Sequence, residues 1–219
     1  MKWEQIIRFC STYSIGVAAI IGLVRFKSIL KSYRPFIYFS CVAFINEIVS
    51  GIMIKKYGSN TINNNIYSLL EFLFILWLFV SWGVDPNKKK YYSFIAIILI
   101  SLWIIEYLFV HSLSHISSVY LIGYYFVLIF LSIHQINYVL ITERKNLVTN
   151  SRFIISSVFL FSFTYAAILE VFFYIDLKGS PQFYHQLFFI YIVVNLFMNM
   201  FLALAVLWIP TKQKFTLPY

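Results

Sequence analysis

The chain has 219 residues, of which 61% are hydrophobic, 21% are aromatic and only 11% are charged, and its formal net charge is +9. A soluble domain carries about 25% charged residues, so this composition excludes an ordinary soluble protein. Nucleic acid is not expected as a partner, because the Lys and Arg residues lie between long apolar blocks, where the positive-inside rule places them in membrane proteins.

Seven apolar blocks follow one another along the chain, and each is long enough to cross a bilayer, which takes about 20 residues. The predicted spans are 7–25, 35–56, 62–82, 91–110, 117–141, 153–175 and 182–209. The connectors are short and polar and leave no segment for a soluble domain. The sequence therefore predicts an all-α, polytopic membrane bundle of seven transmembrane helices that forms a single domain, residues 1–219.

The basic residues predict how the bundle lies in the membrane. Twelve of the 17 Lys and Arg residues fall at one side of the predicted spans and five at the other. The positive-inside rule then places the N-terminus outside and the C-terminus in the cytoplasm. Arg8 interrupts the first span and Arg25 ends it, which favours a retained helix over a cleaved signal peptide.

The first span carries a stripe of small residues, Ser14, Ala18 and Gly22, spaced four apart. Such stripes let helices approach closely, within one chain or between protomers. The sequence therefore predicts that this stripe packs against another helix, of this chain, of a second copy or of a partner membrane protein. Cys10 and Cys41 lie in different apolar blocks and are interpreted as packing residues.

Two carboxylates are expected near the middle of the membrane. At about 1.5 Å per residue, Glu47 in the second span and Glu71 in the third lie at nearly the same depth. The short loop between these spans predicts antiparallel neighbours, so the two side chains are candidates for contact. We expect them to share a proton or to bind a cationic group. Alternatively, each is protonated and only holds helices together.

Other polar residues extend this predicted ligand- or proton-binding site. Asn64, Tyr67 and Glu71 follow helical spacing and share one face of the third span. The remaining members come from later spans: Asn195, Asn199, Glu106, Glu170 and His185. Together they predict a polar cavity that opens outward, with the two central carboxylates at its floor. Hydration at the outer interface is the simpler interpretation of Glu106, Glu170 and His185.

Signs of catalytic or cofactor chemistry are few. The sequence has no Gly-rich phosphate loop, no G-x-S-x-G, no H-E-x-x-H and no zinc spacing. His111 and His115 are spaced four apart in a predicted outer loop, but no Cys or carboxylate is adjacent, so no metal is expected there. No cofactor is expected either.

The chain resembles a family of small bacterial seven-helix membrane proteins that has no established function. Glu47, the run from Asn64 to Phe72, and the last span with His185, Asn195, Asn199 and Trp208 carry the resemblance. It implies the seven-helix architecture, the choice of site residues and a place in the bacterial cytoplasmic membrane, crossed several times. The abundance of Ile, Phe, Tyr, Asn and Lys is typical of a low-GC bacterium.

Three functions fit these features. The first is binding of a ligand or ion in the cavity for transport or sensing. The second is an assembly subunit of a membrane complex that uses the small-residue stripe. The third is an intramembrane enzyme that modifies a lipid, with a Glu as general acid or base. An enzyme is the less favoured expectation, because no nucleophile–His pair or metal set accompanies the carboxylates.

Overall fold

The computed structural model describes residues 2–83, 88–110, 112–114, 118–143, 146–175 and 180–211. These residues form seven long helices and no strand: α1 (Lys2–Arg25), α2 (Arg34–Tyr57), α3 (Thr61–Trp82), α4 (Lys88–Ile105), α5 (Ser118–Thr142), α6 (Ser151–Tyr174) and α7 (Pro181–Leu207). All seven spans are long and apolar enough to cross a membrane. Within the described part of the chain, the predicted all-α class, helix number and helix order are confirmed.

Local sequence explains where several of these helices begin and end. Pro35 lies in the first turn of α2 and Pro181 opens α7, where a missing N–H is not needed for helical hydrogen bonds. α2 ends at Gly58, whose φ of 75° is left-handed and suits Gly, which has no Cβ. The side chains of Asn150 and Ser180 accept backbone N–H hydrogen bonds at the starts of α6 and α7, as helix caps do.

Six helices form a ring in the order α1, α2, α3, α5, α6, α7 and back to α1. Helix α4 lies outside this ring and packs against α3 and α5. We call the end of the bundle where α2 joins α3 the upper end, and the end where α1 joins α2 the lower end. Helices α1, α3, α5 and α7 all begin at the upper end. Neighbours in the ring are therefore antiparallel, except for the pairs α3–α5 and α7–α1, which are parallel.

The outer surface of the bundle is apolar. Large hydrophobic side chains such as Val24, Phe109, Phe130, Ile141 and Phe161 are each at least 61% exposed. Soluble monomers rarely display apolar surface on this scale. The surface is compatible with an integral membrane protein whose outer faces contact lipid.

The small residues of α1 are in contact with other helices of the same chain. The Ser14 hydroxyl accepts a hydrogen bond from the Asn199 amide at 2.9 Å, and Ala18 is fully buried. A Cβ on Gly22 would lie 2.6 Å from Cδ1 of Ile37 in α2. The stripe therefore serves contacts of α1 with α2 and α7, and a second copy or partner on this stripe remains a prediction.

Below the centre of the ring, aromatic side chains close the bundle. We call this cluster the aromatic plug: Tyr33, Phe36, Phe79, Trp82 and Phe159. None of the five is more than 3% exposed, and neighbouring rings have centroids 5.4 to 6.3 Å apart. This spacing is that of favourable aromatic pairs, so the lower end is tightly packed.

The end of α7 is tied to the lower end of α1. The Arg25 guanidinium donates hydrogen bonds to three carbonyl oxygens at the end of α7, those of Val206, Leu207 and Ile209. The last carbonyls of a helix have no partners within it, and a cation there also interacts favourably with the helix dipole. The Leu30 N–H adds a hydrogen bond to the Pro210 carbonyl, at 3.1 Å.

Candidate functional site

A cavity of about 570 Å³ lies inside the six-helix ring. All six ring helices line it, whereas none of its lining residues comes from the described part of α4. It reaches the upper end at Asn60 and Thr61, beside the turn from α2 to α3. Its lower walls are apolar and include Phe39 and Leu202, with the aromatic plug beneath them. The cavity therefore extends to the upper end of the bundle and is closed at the lower end.

Glu71 is held in this cavity by two tyrosines from different helices. Its Oε1 accepts a hydrogen bond from the hydroxyl of Tyr67, one turn earlier in α3, at 3.1 Å. Its Oε2 accepts one from Tyr124 of α5, at 2.9 Å. A carboxylate offers about four lone-pair sites, so both oxygens retain capacity for a further donor.

Glu47 lines the same cavity from the α2 side. The structure thus brings together the two central carboxylates in one cavity of the ring. Helical register accounts for this, because α2 and α3 are antiparallel neighbours joined by a three-residue turn, 58–60. The charges of two nearby carboxylates oppose each other unless a proton or a cation compensates them.

Amide and hydroxyl groups of α2 and α3 form a polar network above the carboxylates. The Ser50 hydroxyl donates to the side-chain oxygen of Asn64 at 3.3 Å, and Asn60 donates to the same oxygen at 3.2 Å. Asn63 donates to the Asn46 side chain at 2.6 Å. The predicted site residue Asn64 therefore lies at the mouth of the cavity, where the bundle changes from apolar to polar.

Asn195 and Asn199 of α7 line the cavity from the side opposite α3, and both also contact α1. Asn195 donates to the Ser11 hydroxyl at 3.2 Å, and Asn199 donates to Ser14 at 2.9 Å. Hydrogen bonds of this kind stabilise pairs of membrane helices. These two amides hold α7 against α1 while they contribute polar surface to the cavity.

The other predicted members lie in different places. Glu170 lines the cavity one turn below the upper end of α6. Glu106 and His185 are not among the lining residues. Glu106 is only 6% exposed, and its Oε2 accepts the backbone N–H of Tyr120 at 2.8 Å. His185 is exposed on the first turns of α7.

Of the aromatic wall of the cavity, the site predicted from the sequence included only Tyr67. Ten lining residues are Tyr or Phe, and on α5 and α6 they include Tyr124, Tyr125, Phe163 and Tyr165. Tyr125 and Phe163 stack at 5.9 Å and 29°, and Tyr165 stacks on Tyr191 of α7 at 5.9 Å and 22°. The available signal was a tyrosine pair in the interior of an apolar span, where the hydroxyls need partners.

The described residues contain no group of three or more His, Cys, Asp or Glu side chains arranged to hold a metal ion. His111 and His115, which the sequence analysis considered as a metal-binding pair, lie outside the described residues. The cavity offers carboxylates, phenols, amides and aromatic faces, which bind by hydrogen bonds and by charge.

The fold and cavity define a seven-helix, all-α protein with a polar and aromatic chamber inside a six-helix ring. Compared with known proteins, the chain matches no family model, no curated protein and no solved structure. The resemblance to the bacterial seven-helix family therefore remains an interpretation of the sequence.

Proposed function

We propose that this protein binds a small ligand or ion in its central cavity, for transport across the membrane or for sensing. In this proposal it is a multi-pass protein of a bacterial cytoplasmic membrane. The upper end and the N-terminus face outward, and the C-terminus faces the cytoplasm. The basic residues of the connectors support this orientation through the positive-inside rule.

One observation carries the proposal: Glu71 and Glu47 line a cavity that is open at the upper end and closed below by the aromatic plug. Charged side chains are costly inside a membrane and usually mark substrate or ion pathways there. The cavity's volume of about 570 Å³ falls within the range of about 300–1,000 Å³ that is typical of small-molecule sites. A cavity that reaches the upper end and is closed at the lower end suits a receptor, or a transporter in its outward-facing state.

The assembly alternative has less support. In that alternative Ser14, Ala18 and Gly22 form the surface for a partner, but these residues already contact α2 and α7.

The enzyme alternative needs a nucleophile or a metal beside a general acid or base. Among the described residues, Ser and Thr hydroxyls do line the cavity with the carboxylates, but no Cys or His does, so no hydroxyl there is paired with a His.

The test is a ligand screen on purified protein, read as thermal stabilisation, with small polar compounds of positive, negative and zero charge. We expect at least one compound to raise the melting temperature saturably. Glu71→Gln should abolish that shift while the variant remains folded, because it removes the charge and keeps the size of the side chain.

Glu106→Gln is the matched control, because Glu106 is also a carboxylate inside the bundle, only 6% exposed, but does not line the cavity. It should retain the stabilisation seen with wild-type protein. If no compound distinguishes wild type from Glu71→Gln, and that variant simply melts earlier, Glu71 is a structural residue and the proposal is wrong.

A further inference from the structure

We infer that the ligand of this cavity is a small organic cation with an amine or quaternary ammonium head, an inference that rests on the proposed binding function. Three kinds of observation support it: the charge of the cavity wall, its aromatic faces and its size. Each of them excludes a different class of alternative ligand.

The charge of the wall selects against anions. Three carboxylates line the cavity, those of Glu47, Glu71 and Glu170, and among the described residues no Lys, Arg or His does. An anionic group would find no cationic partner on these walls, and its desolvation would be uncompensated. A monovalent cation between Glu47 and Glu71 would compensate the repulsion between their charges.

The aromatic faces select for an organic cation. Tyr191 is a candidate for this role, because it lines the cavity together with Glu47 and Glu71. Its ring stacks on Tyr165, and 38% of its surface remains accessible. Aromatic rings attract ammonium groups through their negative faces, and cages of such rings recognise quaternary ammonium ligands.

The size of the cavity selects against a bare metal ion. Na⁺, K⁺ or a divalent ion needs several oxygen ligands converging at short distance, whereas this cavity measures about 570 Å³ and ten of its lining residues are Tyr or Phe. The two tyrosine hydroxyls that donate to Glu71 fix its carboxylate in position. A carboxylate held in position inside a cavity lined by aromatic rings suits a ligand that has an ammonium group and an apolar or hydroxylated remainder.

The test uses three probes of nearly equal shape: choline, its neutral carbon isostere 3,3-dimethylbutan-1-ol, and the anion 3,3-dimethylbutyrate. Binding is measured by calorimetry on protein in nanodiscs of phosphatidylglycerol, whose headgroup carries no ammonium. We expect saturable binding of choline and little or no binding of the other two. Glu71→Gln and Glu47→Gln should each weaken choline binding about tenfold or more.

A matched pair of variants tests the aromatic contribution. Tyr191→Phe keeps the ring and should retain choline binding, whereas Tyr191→Leu removes the ring and should weaken it about threefold to thirtyfold. Equal losses in both variants would show that the hydroxyl acts and the ring does not, which would contradict the aromatic part of the inference.

The outcomes separate this inference from the function on which it rests. Glu71-dependent binding of the neutral or anionic probe in place of choline overturns the cation class and leaves ligand binding intact. If none of the three probes binds, the cation inference is wrong, and the broader ligand screen then decides the proposed function independently. Adding phosphatidylethanolamine to the nanodiscs distinguishes two sources of the ammonium group: competition with choline identifies a lipid headgroup, and no competition identifies a free solute.

Discussion

At the scale of single residues, two carboxylates inside the bundle have different surroundings. Glu71 accepts hydrogen bonds from two tyrosine hydroxyls inside the cavity. Glu106 accepts the N–H of Tyr120, in the first turn of α5. The first N–H groups of a helix lack partners within it, so Glu106, the first residue of the π-helical turn after α4 (Glu106–Val110), supplies the acceptor that a capping residue normally provides.

This difference predicts the effect of changing Glu106. Glu106→Ala leaves the buried N–H of Tyr120 without an acceptor and should lower the stability of the folded protein by about 1–3 kcal/mol. Glu106→Gln keeps an oxygen at this position and should lose less than about 1 kcal/mol. Thermal unfolding in detergent measures both. If the two variants are equally destabilised, the charge of Glu106 matters and not its acceptor oxygen.

The residue scale also shows what a sequence can reveal about a site. That Glu47 and Glu71 line the same cavity was predictable, because two helices joined by a short turn have a fixed relative register. Tyr124 was not, because its contact with Glu71 spans 53 residues and depends on α5, and not α4, lying next to α3 in the ring. Spacing along one helix carries no information about which distant helix faces it.

At the scale of helices, close packing of α1 depends on positions where a side chain would not fit. A Cβ on Gly22 would lie 2.6 Å from Cδ1 and 2.9 Å from Cγ2 of Ile37, which is fully buried. Gly51 in α2 differs, since the nearest atom to a Cβ there is the Tyr13 hydroxyl at 3.6 Å. The same substitution should therefore have opposite effects at the two positions.

We expect Gly22→Ala to destabilise the bundle, because overpacking costs about 1–3 kcal/mol and exceeds the gain of about 1 kcal/mol from the better helix former. Gly51→Ala should be neutral or stabilising by up to about 1 kcal/mol. Thermal unfolding of both variants checks the signs.

Ile37→Val provides the control, because it removes the methyl group nearest to the new Cβ of Gly22→Ala. The double variant should be more stable than the sum of the two single effects. If the stability effects of Gly22→Ala and Ile37→Val simply add, the contact with Ile37 of α2 is not the cause of the destabilisation by Gly22→Ala.

At the scale of the whole molecule, composition and block length were sufficient to predict seven helices, and each predicted span coincides with one to within a few residues. The position of α4 outside the ring was not predictable, because all seven spans are comparably apolar. A helix that faces lipid on most sides and one that lines a cavity differ by only a few polar residues. The carboxylate of the fourth span, Glu106, comes just after the end of α4, whereas α3 has Glu71 in its middle.

The orientation of the molecule yields a final prediction. Ser59 lies exposed at the upper end, beside the mouth of the cavity, and Ser28 lies exposed at the lower end. In a background where Cys10 and Cys41 are replaced by Ser, we introduce Ser59→Cys or Ser28→Cys. A membrane-impermeant maleimide applied to intact cells should label Ser59→Cys, because the positive-inside rule places the upper end outside. Ser28→Cys should react only after the membrane is permeabilised.

The opposite labelling pattern would have a direct mechanistic consequence. The cavity would then open toward the cytoplasm, and the aromatic plug would face outward. A receptor for external solutes would be excluded, while a transporter seen with its inner side open would remain compatible with the geometry. The labelling experiment therefore determines from which side of the membrane the carboxylates Glu47 and Glu71 receive their ligand.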